Sequence, residues 1–247
     1  MELYFIRHGQ SQNNAHWQEP AYTESPDPEL TEAGQTQARC LAEFFANNQF
    51  LTTHQGGNSQ NRYGFGLTHL YTSLMVRAVS TATPMARALG IPFAAWPEIH
   101  EEGGIFSREV DAGRKGLPGK TRSWFVQHFP ELILPDTLDE SGWWNRPFEA
   151  EEHRQPRADK VLADLMARHG DRPGQPEHRV AFVSHGGFFM HLMCAMLDLP
   201  WRHAAHELRS WFLLSNGSIS RFDIHQDELT VCYVNRTDHL PNHLATT

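Results

Sequence analysis

The run Leu3-Tyr4-Phe5-Ile6, followed at once by Arg7-His8-Gly9, constrains this chain more than any other stretch. Its apolar, aromatic and β-branched residues end at a glycine, which reads as a short buried strand giving way to a loop. A strand buried on both faces belongs to the middle of an α/β sheet, and ligands of such sheets bind outside the carboxyl ends of the strands. Arg7 and His8 stand at that edge. A guanidinium beside an imidazole suits the holding of an anion next to a nucleophile or base.

The rest of the chain supplies the partners such a strand needs. Leu30-Thr31-Glu32-Ala33-Gly34 reads as a helix start with Thr31 as N-cap, and Ala38, Leu41, Ala42 and Phe45 carry an apolar stripe to about Asn47. His69 to Thr72 predicts a second strand, followed by a helix through Arg77 to Leu89 in which Pro84 predicts a kink or a late restart. Ile91 to Trp96 reads as a third strand leading into Ile99-His100-Glu101-Glu102. Ala150 to His169 reads as a helix, Arg179 to Val183 as a strand closed by Ser184-His185-Gly186-Gly187, and Phe188 to Leu197 as the next helix. Ser218 to Ile224 and Leu229 to Val234 form a closing β-pair with Gln226-Asp227 near its turn. Strands alternating with helices give a three-layer α/β/α fold around a mostly parallel sheet. Asn13 to Pro28 reads as a loop, Thr52 to Gly66 as a flexible insertion and Asp238 to Thr247 as a loose tail. The stretch 105–147 mixes basic residues with Trp124, Phe125, Trp143 and Trp144. It lacks a core pattern of its own, so it is expected to be a helical or loop insertion, or a lid, within a single domain over 1–247.

Composition narrows the function classes. The net charge of −8 argues against a generic nucleic-acid binder, while a local cationic pocket for a small anion remains compatible with an acidic surface. No apolar run reaches spanning length and no signal peptide is read at the start, so neither a membrane partner nor export is expected. Cys40, Cys194 and Cys232 are odd in number and set in apolar surroundings, which fits buried free thiols in the cytoplasm. With 16 histidines no single one is informative alone; His100, His191, His203 and His206 are read as structural or surface residues.

Arg7, His8, Arg77, Glu101 and His185 share one address if the strands are parallel, because each follows a strand end. Two guanidiniums there can offer paired donors to phosphate oxygens, and Gly186-Gly187 at a helix start lets backbone N–H groups approach an anion. Taken singly, Arg77 also reads as a solvated helix residue, His185 as a core histidine, and Glu101 and Glu102 as solvent-facing; the convergence favours a site.

In order and spacing, Arg7-His8-Gly9-Gln10-Ser11, Leu30 to Gly34, Tyr71-Thr72-Ser73 with Arg77-Ala78 and Thr81-Ala82, Glu101, and Ser184 to Gly187 resemble the histidine phosphatase superfamily, the group of phosphoglycerate mutase-like proteins. The resemblance covers residues 2–105 and 150–197. It implies a phosphoglycerate mutase-like fold, a small phosphorylated substrate, no metal or cofactor, and a homodimer as a candidate assembly. It also implies His8 as the phosphorylated nucleophile. Arg7, Arg77, Asn14, His185 and Gly186 would hold the phosphoryl group, and Glu101 would act as general acid and base, with adjacent Glu102 the alternative.

The expected activity is hydrolysis of a phosphomonoester. The first alternative is a phosphoglycerate-mutase-type phosphotransferase, disfavoured because Glu102-Gly103-Gly104-Ile105 departs from the Arg-His-Tyr-Gly that usually follows the catalytic Glu of those mutases. The second is a non-catalytic phospho-ligand binding protein of the same fold, disfavoured because binding needs no nucleophile. A metallohydrolase ranks last, since the sequence holds no His-Glu-x-x-His or paired-cysteine spacing.

Overall fold

The computed structural model describes residues 1–50, 58–109, 113–200, 212–226 and 228–247. Its central sheet has seven strands in the order β6-β3-β2-β7-β1-β8-β9. They are β1 (Glu2–Arg7), β2 (His69–Thr72), β3 (Phe93–Ala95), β6 (Leu132–Ile133), β7 (Arg179–Ser184), β8 (Ile219–His225) and β9 (Glu228–Arg236). From β6 to β1 every pairing is parallel, and β8 and β9 close the other edge antiparallel. The first strand is central, as its apolar run predicts, flanked by β7 and β8.

Helices cover both faces. Leu41, Phe45, Ala78, Ala82 and Met85, from α2 (Glu32–Asn47) and α3 (Val76–Leu89), pack with Tyr4 and Ile6 on one side. Val161, Leu165, Phe188, Phe189 and Leu192, from α5 (Glu151–His169) and α6 (Gly186–Leu197), pack with Leu3, Phe5 and Phe182 on the other. Alternate residues of β1 thus face opposite layers, the period-two geometry of a strand buried on both sides. Thr31 caps α2 by accepting the Gly34 N–H at 3.0 Å. Gly34 has a second role: a Cβ there would lie 2.1 Å from the Gln10 carbonyl oxygen, so only glycine lets α2 press against the loop after β1.

Several expectations are corrected. The segment Asn13 to Pro28 is not all loop: α1 (Gln12–His16) is a short helix held by a reciprocal cap between Ser11 and Asn14. α3 runs through Pro84 as one helix with no restart there, since the apolar face around it outweighs the lost N–H. The part of Thr52 to Gly66 that is described is packed rather than free, with Phe65 in the core and Asn61 donating to the Tyr4 hydroxyl at 2.6 Å; the remainder lies outside the described residues, as do His203, His206 and Asp227. The 105–147 region is not a helical insertion alone. It contains a hairpin, β4 (Phe106–Glu109) with β5 (Gly113–Gly116), then α4 (Arg122–His128), and its β6 joins the main sheet beside β3. Phe125, Leu132, Leu138, Trp143 and Trp144 merge into the main core, which explains why the region shows no core of its own. The tail is anchored: Leu240 and Leu244 are buried, and Gln37 donates to the Leu244 carbonyl at 2.7 Å. The three cysteines are free but half-buried, not buried. Among the described residues no helix is long and apolar enough to cross a membrane.

Candidate active site

Parallel pairing decides which residues meet. Arg7 is in register with Ser184, and Thr72 with Val183, so the chain leaves β1, β7 and β2 at one edge. His8 follows β1 and donates its backbone N–H to the Ser184 carbonyl at 3.0 Å; His185 follows β7 as the N-cap of α6. Arg77 is the second residue of α3, and Glu101 follows the short turn after β3. Arg7, His8, Asn14, Arg77 and Glu101 line one cleft of about 740 Å³. His185 is fully buried, its ring centroid 5.1 Å from that of His8.

The His8 ring is locked in one tautomer. Nδ1 lies 2.7 Å from the Gly9 carbonyl oxygen, an acceptor, so Nδ1 carries the proton. Nε2 then holds a lone pair and accepts the Arg77 Nε–H at 3.1 Å. Burial first, then the charges of Arg77 and Arg7, push the imidazolium far below the ordinary histidine range. His8 is therefore a neutral ring with its nucleophilic nitrogen set between cations.

Those cations are held from behind. Arg7 donates to the Leu214 carbonyl and leaves its Nε buried without a partner. Arg77 faces Asp27, its NH1 3.9 Å from the carboxylate. Asp27 also accepts the Val76 N–H at 3.0 Å, so one carboxylate touches both the start of α3 and the arginine on it. Burial raises Asp27 to about 6 in spite of Arg77. Both ring nitrogens of His185 are buried without a hydrogen-bond partner, and burial, Arg77 and His8 keep that ring neutral too. Unpartnered buried donors around one nucleophilic nitrogen are what an anion would satisfy on arrival.

Two adjacent carboxylates have different surroundings. Glu101 Oε1 accepts the N–H of Phe188 at 3.1 Å and of Glu102 at 3.0 Å. Gly187 makes this possible, because a Cβ there would lie 2.3 Å from that oxygen. Glu102 lines the same cleft but is tied into a cluster with His191, at 2.9 Å, and Arg154, at 2.9 Å, and these partners hold its carboxyl below the ordinary range against the opposing effect of burial. Asn14 spends its carbonyl oxygen on Ser11 and Asn216, which leaves its NH2 as its donor group at the cleft.

The structure brings Arg7, His8, Asn14, Arg77, Glu101 and His185, all expected from the sequence or the resemblance, to this edge, and Gly186 to the first turn of α6 beside Arg7. Sequence reasoning missed Asp27 and Asn216. Asn216 is fully buried, donates to the His8 carbonyl at 3.3 Å and to Asn14 at 3.1 Å, and accepts from Thr246 at 3.0 Å. Neither stands at a strand end, and a lone Asp between Pro26 and Pro28 carries no periodic signal.

Comparison with known proteins places the chain in a family and a fold. The description "Histidine phosphatase superfamily (branch 1)" matches residues 3–55 and 59–237. A probable phosphoglycerate mutase GpmB of Enterobacter sp. (strain 638) is 29% identical over 226 residues, covering 90% of this chain and 85% of the relative. The glucosyl-3-phosphoglycerate phosphatase of Mycobacterium tuberculosis is 24% identical over 205 residues, covering 80% and 76%. Among solved structures, phosphoserine phosphatase of Entamoeba histolytica in complex with 3-phosphoglyceric acid superposes with a TM-score of 0.57 at 17% identity, over 97% of this chain and 99% of that one. A putative α-ribazole-5'-P phosphatase of Escherichia coli gives a TM-score of 0.58 at 20% identity, over 96% and 97%. At such identities the two structures speak to the fold.

Proposed function

This chain belongs to the histidine phosphatase superfamily, and from that premise we propose that it hydrolyses a small phosphomonoester through a covalent phosphohistidine on His8. The observation that carries the reading is the fixed tautomer of His8, whose Nε2 lone pair faces the cleft-lining arginine while Nδ1–H is tied to Gly9. On substrate binding the Arg77 guanidinium exchanges its contact with Nε2 for the phosphoryl oxygens. Nε2 then attacks phosphorus, and the bond to the ester oxygen breaks. Arg7 and Arg77 balance the charge spread over the phosphoryl oxygens, while the Asn14 amide, the His185 ring and the first turn of α6 at Gly186 donate hydrogen bonds to them. Glu101 in its acid form gives a proton to the departing alkoxide. As a carboxylate it then takes a proton from water, which attacks phosphorus and frees His8. No step needs a metal, and the chain acts as one catalytic domain in the cytoplasm, where its free thiols stay reduced.

The substrate is a small phosphate ester, in keeping with the phosphorylated compounds named for the Mycobacterium and Entamoeba proteins. A mutase-type phosphotransfer is the second reading, supported by the name of the Enterobacter relative. It uses the same phosphohistidine and differs in the acceptor. Phosphate release from p-nitrophenyl phosphate in EDTA, together with trapping of an acid-labile phosphoenzyme, tests the reading. Wild type should turn over and His8→Ala should not. Equal rates in both would remove His8 as the nucleophile, and a phosphoenzyme that discharges to 3-phosphoglycerate rather than water would install the mutase.

A further inference from the structure

At the sheet edge opposite His8, three imidazoles from three elements converge. His69 opens β2, His178 immediately precedes β7, and His169 closes α5. His69 is in register with Val180, so the starts of β2 and β7 lie together, and the end of α5 returns to the same edge. The span from His178 to His185 along β7 puts this cluster roughly 23 Å from the catalytic edge, at about 3.3 Å per residue. One ring nitrogen from each histidine lies within 4.8 Å of the other two. His169 is buried, His69 and His178 are partly exposed, and a cleft of about 250 Å³ opens beside His169 and His178.

The hydrogen bonds show which ring nitrogens are already engaged. Thr68 Oγ1, which accepts the Arg179 N–H at 2.9 Å, lies 2.8 Å from His69 Nδ1. Thr68 thus takes up Nδ1 of His69, and Nε2 is the nitrogen left for an ion. Nδ1 of His169 and Nδ1 of His178 face each other at 2.9 Å, two ring nitrogens that can share only one proton. His169 Nε2 contacts the Tyr71 hydroxyl at 3.0 Å. Nothing in the phosphoryl chemistry uses these groups.

We infer that His69, His169 and His178 form a binding site for one borderline divalent transition ion of the Zn2+ type, through Nε2 of His69 and Nδ1 of His169 and His178. Three imidazoles without thiolates suit Zn2+, Co2+, Ni2+ or Cu2+, whereas Mg2+ and Ca2+ need oxygen donors. Ligand bonds of about 2.0–2.1 Å to a tetrahedral ion set the nitrogens about 3.3 Å apart, so small side-chain rotations close the cluster. Thr68 Oγ1 and the Tyr71 hydroxyl already receive or face the second ring nitrogens of His69 and His169, as the outer partners of ligating histidines do. The ion ties the end of α5 to the starts of two central strands, a stabilising staple remote from the reaction.

The test is titration of the EDTA-stripped full chain with ZnCl2 by calorimetry, and with CoCl2 by its visible absorption. One tight ion per chain is expected, with a four-coordinate cobalt spectrum and a rise of several degrees in the melting midpoint. His69→Gln and His178→Gln, both at partly exposed positions, should each weaken binding about 100-fold or more. His225→Gln, which changes a histidine beside the same cleft that contacts Asp171, should leave binding intact. No binding of either ion at about 100 µM, or unchanged binding in both cluster variants, would overturn the site. Loss in only one of the two would overturn the three-ligand assignment.

Discussion

Arg77 Nε donates to His8 Nε2 at 3.1 Å, so the cation that would balance a phosphoryl group rests on the nitrogen that would attack it. The two groups hold each other in place in the free protein: the ring stays neutral, and the guanidinium stays aimed into the cleft. Replacing Arg77 by Lys keeps a positive charge but loses the planar fork. A fall in kcat of roughly 10²–10³ is expected for Arg77→Lys, measured as steady-state phosphate release. Activity within twofold of wild type would show that charge alone suffices.

His8→Ala is expected to reduce turnover by roughly 10³ or more and to abolish the acid-labile phosphoenzyme, because His8 Nε2 is the lone pair that the reaction uses. Rapid-quench trapping with labelled substrate reads both quantities.

Asp27 gives a pH dependence of known sign. Its carboxyl sits at about 6 in the folded chain against an ordinary 3.8, so the folded state binds the proton more tightly than the unfolded one. Its contribution to stability is greatest below 3.8 and declines as pH rises through 6, a loss of the order of 3 kcal/mol by neutral pH. Asp27→Asn should therefore unfold at higher urea than wild type at pH 7 and lose this part of the pH dependence. It should also slow turnover about tenfold, since Arg77 loses the carboxylate that faces it. A variant that is less stable at pH 7 would show that the Arg77 contact outweighs burial.

Glu101 and Glu102 should separate cleanly. Glu101→Gln is expected to lower kcat by roughly 10²–10⁴ with a p-nitrophenyl or alkyl ester and to flatten the pH–rate profile, with little change in the melting midpoint. Glu102→Gln removes one charged partner from Arg154 and His191, and is expected to destabilise the fold by about 1–3 kcal/mol while retaining a shaped pH profile. The opposite pattern would assign the proton transfers to Glu102.

Gly187→Ala places a methyl 2.3 Å from Glu101 Oε1, with the Glu102 side chain next nearest. Displacement of Glu101 should lower kcat about tenfold or more without unfolding the protein, a pairing that activity assay and circular dichroism together resolve.

Where sequence reading succeeded, the information was local. The strand at Leu3 to Ile6, the cap at Thr31 and the strand ends carrying Arg7-His8 and His185 are all consequences of neighbouring residues acting on one another through period, capping and glycine placement. Even the closing β-pair is legible in this way. Where it failed, the deciding contact was distant. The tail is fixed by distant partners, Gln37 on α2 for the Leu244 carbonyl and Asn216 for Thr246, and the 105–147 region joins the main sheet because β3 presents an open edge. Asp27 and Asn216 stand in segments with no periodic signal, and they matter to the site by reaching Arg77 and His8 from distant parts of the chain. The same holds for His69, His169 and His178: no local ligand spacing marks them, because two parallel strands and a helix bring them together across more than a hundred residues.

The amino-acid sequence by itself determined which residues end the strands, and so which chemistry gathers at the catalytic edge, since strand and helix periodicity act over a few residues. The tertiary structure alone decided how those residues are charged and aimed. Burial, ring tautomers and paired carboxylates depend on contacts between segments that meet only when the sheet is assembled.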